Sequence, residues 1–188
     1  MGKLIVTEFV TIDGVFEDPG GSEGTLHGGW QLPLMGDDEA EYKLDELRAA
    51  DALLLGRVTY EGFAEAWPNM PDAGEFGDLM NGLPKHVASL TVSEFKWRNS
   101  SGLDSDVIAA TRKLKEQYKR NILVMGSGEL TRSLLKEGLV DELRLMTYPI
   151  ILGSGRRLLD GATRTKMKFV SEQTFQNGTA LLTYAQNT

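Results

Sequence analysis

Two stretches, Ala52-Leu53-Leu54-Leu55-Gly56-Arg57-Val58-Thr59-Tyr60-Glu61 and Ile122-Leu123-Val124-Met125-Gly126-Ser127-Gly128-Glu129-Leu130, share one pattern. Each is a short apolar run, then a glycine, then a segment of helical character. Apolar runs this short read as strands buried on both faces, the kind that parallel sheets use. The glycine then lies where a strand passes its chain to a helix N-terminus. There the first backbone N–H groups lack partners and the helix dipole points outward, so the pattern predicts an α/β sheet with an edge that binds dinucleotide phosphates. Arg57 adds a permanent planar cation suited to phosphate, although Glu61, one helical turn on, offers it a salt bridge instead. Neither turn is specific alone, because Gly126 to Thr131 lacks the third glycine of G-x-G-x-x-G.

Outward from these two turns the chain alternates strands and helices. Leu4-Ile5-Val6 and Phe9-Val10 form a first strand ending at Asp13-Gly14, and Glu17 to Gly36 reads as a long loop. Loops of that length usually carry function. Asp37 and Asp38 place negative charge at a helix start, and Ala40, Leu44 and Leu47 recur at helical spacing before Asp51. A short helix is predicted from Thr59 to Ala66, then an irregular acidic stretch from Trp67-Pro68 through Gly82. Lys85 to Ser89 reads as a strand with Ser89 and Thr91 at its exit. Asp104 or Asp106 caps the next helix, whose stripe is Val107, Thr111, Leu114 and Tyr118. The helix after Gly128 turns Leu130, Leu134 and Leu135 inward and stops at Gly138. Glu142 to Tyr148 alternates as a strand up to Pro149, and Ile150-Ile151-Leu152 leads into Gly153-Ser154-Gly155. Met167 to Phe175 and Thr179 to Tyr184 flank Asn177-Gly178, a strong hairpin signal. There is no internal repeat and no low-complexity tract. The expectation is an α/β layer fold with a mainly parallel mixed sheet and a C-terminal antiparallel hairpin.

Composition narrows the function classes. The 188 residues, 41% hydrophobic and 25% charged, suit one globular domain spanning 1–188. A net charge of −7 without a basic run argues against nucleic acid. No apolar run reaches membrane-spanning length, and Lys3 to Glu8 is charged too early for a signal peptide, so a cytoplasmic protein is expected. The absence of cysteine excludes disulfides, thiolate zinc sites and a cysteine nucleophile, and two separated histidines, His27 and His86, build no metal centre by themselves. A metal-free site follows, with both histidines structural or solvent-facing. Asn99-Ser100-Ser101 and Asn177-Gly178-Thr179 match the glycosylation sequon but read as turn chemistry.

The order of features resembles the dihydrofolate reductase superfamily, in particular its branch related to the reductase domain of riboflavin biosynthesis (the RibD C-terminal domain). The resemblance covers nearly the whole chain. It is carried by Thr11-Ile12-Asp13-Gly14, Leu55 to Glu61, Ser89-Leu90-Thr91, Val124 to Leu130, Gly138-Leu139-Val140-Asp141-Glu142-Leu143 and Pro149 to Gly155. It implies a three-layer α/β/α fold that binds NADPH. Arg57 and Thr59 would meet phosphate, Ser89 and Thr91 would lie near the 2′-phosphate, and Gly126, Ser127, Gly128, Glu129 and Leu130 would take the pyrophosphate. It also implies homodimerisation through the late strands and Pro149 to Gly155.

Catalysis is less legible, because hydride transfer needs orientation and a dry pocket more than a nucleophile, and only the final protonation needs an acid. Folate reductases place one carboxylate on the first helix. Asp38 and Glu39 stand near that position but also form an ordinary acidic helix start. Asp13, ending the first strand beside the expected nicotinamide pocket, is the candidate catalytic residue, with a turn-forming role as its alternative. Trp30, Trp67 and Tyr148 are candidate walls of the substrate pocket, or simply core. The expected activity is NADPH-dependent reduction of a small, heterocyclic or otherwise conjugated substrate at C=N or C=O. Two alternatives stay open: the 5-amino-6-(5-phosphoribosylamino)uracil reductase of riboflavin biosynthesis, and a non-catalytic nucleotide-binding module. The first is weakened because Glu61-Gly62-Phe63-Ala64 stands where that enzyme carries a D-D-P type segment. A true folate reductase is disfavoured because only Trp30-Gln31-Leu32-Pro33 echoes its W-x-L-P region.

Overall fold

Leu4 and Val6 face one side of the sheet and Ile5 the other, and this alternation sets the layers. The computed structural model describes residues 1–186. Strands β1 (Leu4–Thr11), β2 (Ala50–Gly56), β3 (Lys85–Ala88), β4 (Ser100–Gly102), β5 (Asn121–Met125), β6 (Glu142–Tyr148), β7 (Met167–Thr174) and β8 (Ala180–Gln186) form one sheet in the order β4-β3-β2-β5-β1-β6-β8-β7. Pairing is parallel from β4 to β6 and antiparallel at β6–β8 and β8–β7. The helices are α1 (Asp37–Arg48), α2 (Arg57–Ala66), α3 (Gly74–Gly82), α4 (Val107–Gln117) and α5 (Gly128–Lys136).

On one face Leu4, Val6, Leu54, Ile122 and Val124 pack with Leu114 of α4 and Leu130, Leu134 and Leu135 of α5. On the other, Ile5, Leu53, Leu55, Val87 and Leu123 pack with Leu47 of α1, Tyr60 of α2, Met80 of α3 and Trp97. Helices on both faces explain why β2 and β5 are apolar throughout instead of alternating. This is the predicted three-layer α/β/α arrangement with its antiparallel C-terminal pair.

Two elements depart from the sequence reading. Gly74 to Gly82, expected to be irregular, is a helix, because Phe76, Leu79, Met80 and Leu83 recur at helical spacing and pack into the second core. Its glycines hide that stripe. Lys85, fully buried at the start of β3, donates to the carbonyls of Met80 (2.8 Å), Asn81 (3.1 Å) and Leu83 (2.7 Å) and lies 4.2 Å from the centre of the Trp97 ring. It thereby satisfies the last carbonyls of α3, which no glycine cap serves. The second departure is β4, a three-residue polar edge strand with no apolar pattern to announce it. The long loop after β1 holds no strand of its own; the buried Asp18 carboxylate organises it by accepting from Glu23 N–H and from the N–H and hydroxyl of Thr25.

Candidate active site

The site begins where the sheet divides. β1 pairs with β5 only as far as Thr7 opposite Met125, then continues to Thr11 beside β6. β5 meanwhile leaves through Gly126 into α5. A cleft of about 1540 Å³ enters at this fork, lined by Thr7, Glu8 and Phe9 of β1, by Lys43 of α1 and by both glycine turns. Clefts at the carboxyl ends of diverging parallel strands are where open α/β sheets bind ligands. This one exceeds the roughly 300–1,000 Å³ of an ordinary small-molecule pocket.

The two turns singled out in the sequence are stitched to each other. Ser127 N–H donates to Thr59 Oγ1 at 3.0 Å, and Ser127 Oγ accepts from Gly56 N–H at 2.8 Å while donating to Met125 O at 3.0 Å. Gly126 and Ser127 are both left-handed, with φ of +58° and +64°. A Cβ on Gly126 would lie 2.7 Å from Thr59 Oγ1, so that position requires glycine on two counts. Gly128 is needed for a different reason: a Cβ there would lie 2.5 Å from the Phe16 ring. Ser127 makes no side-chain cap to α5, so its side chain leaves the first N–H groups of that helix, at the cleft wall, unserved.

Arg57, Thr59, Ser89, Thr91 and Gly126 to Leu130 all line this cleft. Arg57 is also paired with Glu61 at 3.0 Å, the salt bridge its spacing allowed. Ser89 Oγ accepts from the N–H groups of Thr91 and Val92, each at 3.1 Å, which shapes the exit of β3. Thr59 holds the glycine turn in place through the bond already described.

Three expected residues lie elsewhere. Asp13 is absent from the cleft wall. Its carboxylate accepts from the Thr11 hydroxyl (2.6 Å), from Leu152 N–H (3.2 Å) and Gly153 N–H (2.9 Å), and faces Arg157 at 3.4 Å. These bonds, the Thr11 hydroxyl foremost, lower its pKa to about 2, so it stays ionised and anchors the loop after β6. Trp30 and Tyr148 are buried edge to face, 5.4 Å between centroids, with the Tyr148 hydroxyl accepting from Gln31 Nε2. They support Phe9 and Gln31, which do reach the cleft, from behind. Trp67, the other aromatic considered, does line it. Asp38 accepts from Glu39 N–H and Gln176 N–H, tying α1 to the C-terminal hairpin, and the fully buried Glu39 accepts from Asn177 Nδ2 at 2.6 Å; neither lines the cleft.

Sequence reading missed the buried carboxyl of Glu8 and the buried ammonium of Lys43 at the fork. Glu8 is buried, and its Oε1 has no hydrogen-bond partner among the described residues. Burial pushes its pKa well above the ordinary carboxylate value; the charge of Lys43 and the Gly126 amide oppose this only in part. Lys43 donates to Thr7 Oγ1 at 2.8 Å and to Glu46 Oε2 at 2.5 Å, and Arg144 Nη1 reaches Glu46 Oε1 at 2.9 Å. Glu46 is as buried as Glu8, yet the charge and hydrogen bonds of Lys43 and Arg144 overcome burial and hold it below its ordinary value. The available signal was a glutamate inside Leu4-Ile5-Val6-Thr7-Glu8-Phe9-Val10, a run otherwise suited to burial on both faces.

Among the described residues no helix is long and apolar enough to cross a membrane, and no group of three or more His, Cys, Asp or Glu side chains is placed to hold a metal.

Known proteins share both sequence and architecture with the chain. It is 28% identical to the uncharacterised Bacillus subtilis protein YyaP over 98% of this chain and 95% of that one. The reductase-bearing deaminase/5-amino-6-(5-phosphoribosylamino)uracil reductase of Thermotoga maritima superposes with a TM-score of 0.68 at 15% identity, covering 99% of this chain and 57% of that one. A dihydrofolate reductase from Enterococcus faecalis, solved with NADP(H), gives 0.63 at 17% identity, covering 100% and 98%. These structural likenesses establish a dihydrofolate reductase-like fold. Residues 2–181 match the RibD C-terminal domain family, and the chain belongs to that family.

Proposed function

We propose that the protein is an NADPH-dependent reductase acting on a small, heterocyclic substrate at a C=N or C=O bond. The observation that carries this reading is the fork between β1 and β5, which opens onto one continuous cleft joining an anion-binding end to a buried acid. At the anion end stand the first turn of α5, Arg57, Ser89 and Thr91, donors suited to a phosphorylated dinucleotide. Beside the Gly126 amide, the buried Glu8 and Lys43 line the cleft together with Thr7, Phe9 and Leu44. The cofactor, when bound, supplies the hydride; the chain's part is to orient both ligands, exclude water and provide a proton.

Calorimetric titration with NADPH and NADH tests the reading. Micromolar NADPH binding with much weaker NADH binding is expected, and Arg57→Ala should weaken NADPH. No binding of either would overturn it. Binding without oxidation against a panel of pyrimidines, pterins and conjugated carbonyls would favour a nucleotide-binding module. The uracil reductase reaction belongs in that panel because the Thermotoga maritima protein named for it shares the fold, although Glu61 to Ala64 departs from the expected substrate-gripping segment.

We also propose a single-domain, cytoplasmic, metal-free homodimer that binds neither nucleic acid nor membrane. Half-exposed Phe169 and Val170 on β7 and the exposed Ile151 after β6 offer apolar surface on the late elements for self-association. A monomer in sedimentation would remove the dimer.

A further inference from the structure

Glu8 is a costly residue in the position it occupies. A carboxylate taken out of water without a charged partner loses its hydration, so a protein keeps the group neutral or neutralises it. Here the neutralising charge is committed elsewhere, since Lys43 is bonded to Thr7 and Glu46, and Glu46 to Arg144. The elements beside Glu8 bring no other charge at its level: Met125 ends the pairing on β5 and Leu145 stands opposite on β6. Elsewhere in the cleft Arg57 is paired with Glu61, Arg156 with Glu17 and Glu23, and Arg157 with Asp13, Arg132 donates to Leu158 O, and Glu129 carries the same sign as Glu8. The orphaned Oε1 therefore belongs to a carboxylic acid with hydrogen-bonding capacity unused within the chain, at the first residue where the sheet opens.

We propose that Glu8 is the proton donor of the reductase, contacting both the substrate heteroatom and the nicotinamide end of the cofactor. The inference rests on the reductase reading above. The balance is closed: the reduced dinucleotide gives a hydride to the carbon of C=N or C=O, and the Glu8 O–H bond breaks as its proton passes to the nitrogen or oxygen. The products are the saturated amine or alcohol, the oxidised dinucleotide and the Glu8 carboxylate. That carboxylate then faces the cationic nicotinamide ring created in the same turnover, which stabilises an anion that would otherwise be unfavourable there. Loss of the oxidised cofactor removes the counter-charge, and Glu8 takes a proton back from solvent.

This links proton occupancy to cofactor charge, which can be measured without knowing the substrate. NADP⁺ and NADPH share every phosphate, so any difference between them isolates the nicotinamide end. Calorimetric titrations in two buffers of different ionisation enthalpy should show a proton released when NADP⁺ binds at neutral pH and none when NADPH binds. NADP⁺ affinity should rise with pH by up to about tenfold per unit while Glu8 remains protonated in the free protein. Glu8→Gln should abolish the release and flatten the dependence, and a cooperative thermal unfolding transition close to that of the wild-type protein at neutral pH shows that the variant folds. Lys43→Met, by removing the nearby positive charge, should move the break in the NADP⁺ profile to higher pH. Equal behaviour of the two cofactors in the wild-type protein, or proton release that survives in Glu8→Gln, would overturn the assignment and leave the reductase reading standing. Failure of both cofactors to bind would overturn the two together.

Discussion

Thr59→Val removes one oxygen and keeps nearly the same shape, so it isolates the bond that joins the two glycine turns. In the wild-type protein Thr59 Oγ1 accepts from Ser127 N–H at 3.0 Å, in a half-buried position. Valine leaves that N–H without its acceptor, at a cost of about 1–3 kcal/mol. For a domain of this size each kcal/mol shifts Tm by about 2–4 °C, so the expected fall is about 2–12 °C. The functional effect is larger than the stability effect suggests. Ser127 is a non-glycine residue held at a φ of +64°, a conformation costing roughly 1–2 kcal/mol and maintained by its three hydrogen bonds. Without the Thr59 anchor the turn relaxes, the first N–H groups of α5 lose their aim, and NADPH binding should weaken by about tenfold, equivalent to about 1.4 kcal/mol. Thr59→Ser, which keeps the hydroxyl, should recover most of both losses. Thermal unfolding and calorimetric NADPH titration of the two variants decide the matter. Valine and serine variants with matching Tm and affinity would refute the reasoning, since the methyl group and not the hydroxyl would then be what matters.

Three further outcomes are expected. Asp13→Asn should leave NADPH binding unchanged while exposing the loop after β6 to proteolysis; because the Asp13 pKa is lowered to about 2, its stabilisation is present above the ordinary aspartate range and lost as pH falls toward 2, so the variant should lose its disadvantage in acid-unfolding curves there. Lys85→Met strips three carbonyls of their donor and should destabilise the fold by about 2–4 kcal/mol in urea unfolding, with NADPH affinity unaffected in the folded protein. Glu8→Gln should be more stable than the wild-type protein in alkali: the Glu8 pKa is raised in the folded state, so the wild-type protein loses stability as pH climbs from the ordinary glutamate value through the raised one, and glutamine does not. Parallel unfolding curves at all pH values would contradict this.

What the sequence disclosed follows from where the signals are local. The apolar runs at Leu53 and Leu123, the glycines after them and the Asn177-Gly178 hairpin each depend on near neighbours, and the sheet order grows from those units by packing. The Gly74–Gly82 helix escaped because glycine content masked a valid apolar stripe, and β4 escaped because a short polar edge strand has no stripe at all. At the site the pattern repeats. Backbone-driven positions such as Gly126 were visible, since φ and close approach are imposed within a few residues. Asp13 looked equally poised at the strand end, but its partners Leu152, Gly153 and Arg157 arrive from about 140 positions away and commit its charge to the loop. No spacing rule could have announced that.

Thr7 and Glu8 carry the same lesson into function. They are consecutive on β1, so their side chains point to opposite faces of the sheet, and both are polar residues in a buried strand. On the Thr7 side every charge has a partner: Lys43 holds Thr7 and Glu46, and Arg144 joins Glu46 to Glu142. On the Glu8 side Oε1 has none. Stability alone would favour leucine or valine at position 8, as at Leu4 and Val6 four and two residues earlier on the same face. The position is also the first beyond the last β1–β5 pair, on the stretch of β1 that lines the cleft. An acid retained where packing disfavours it, on the stretch of the strand that lines the cleft, is accounted for by what it does to a ligand there.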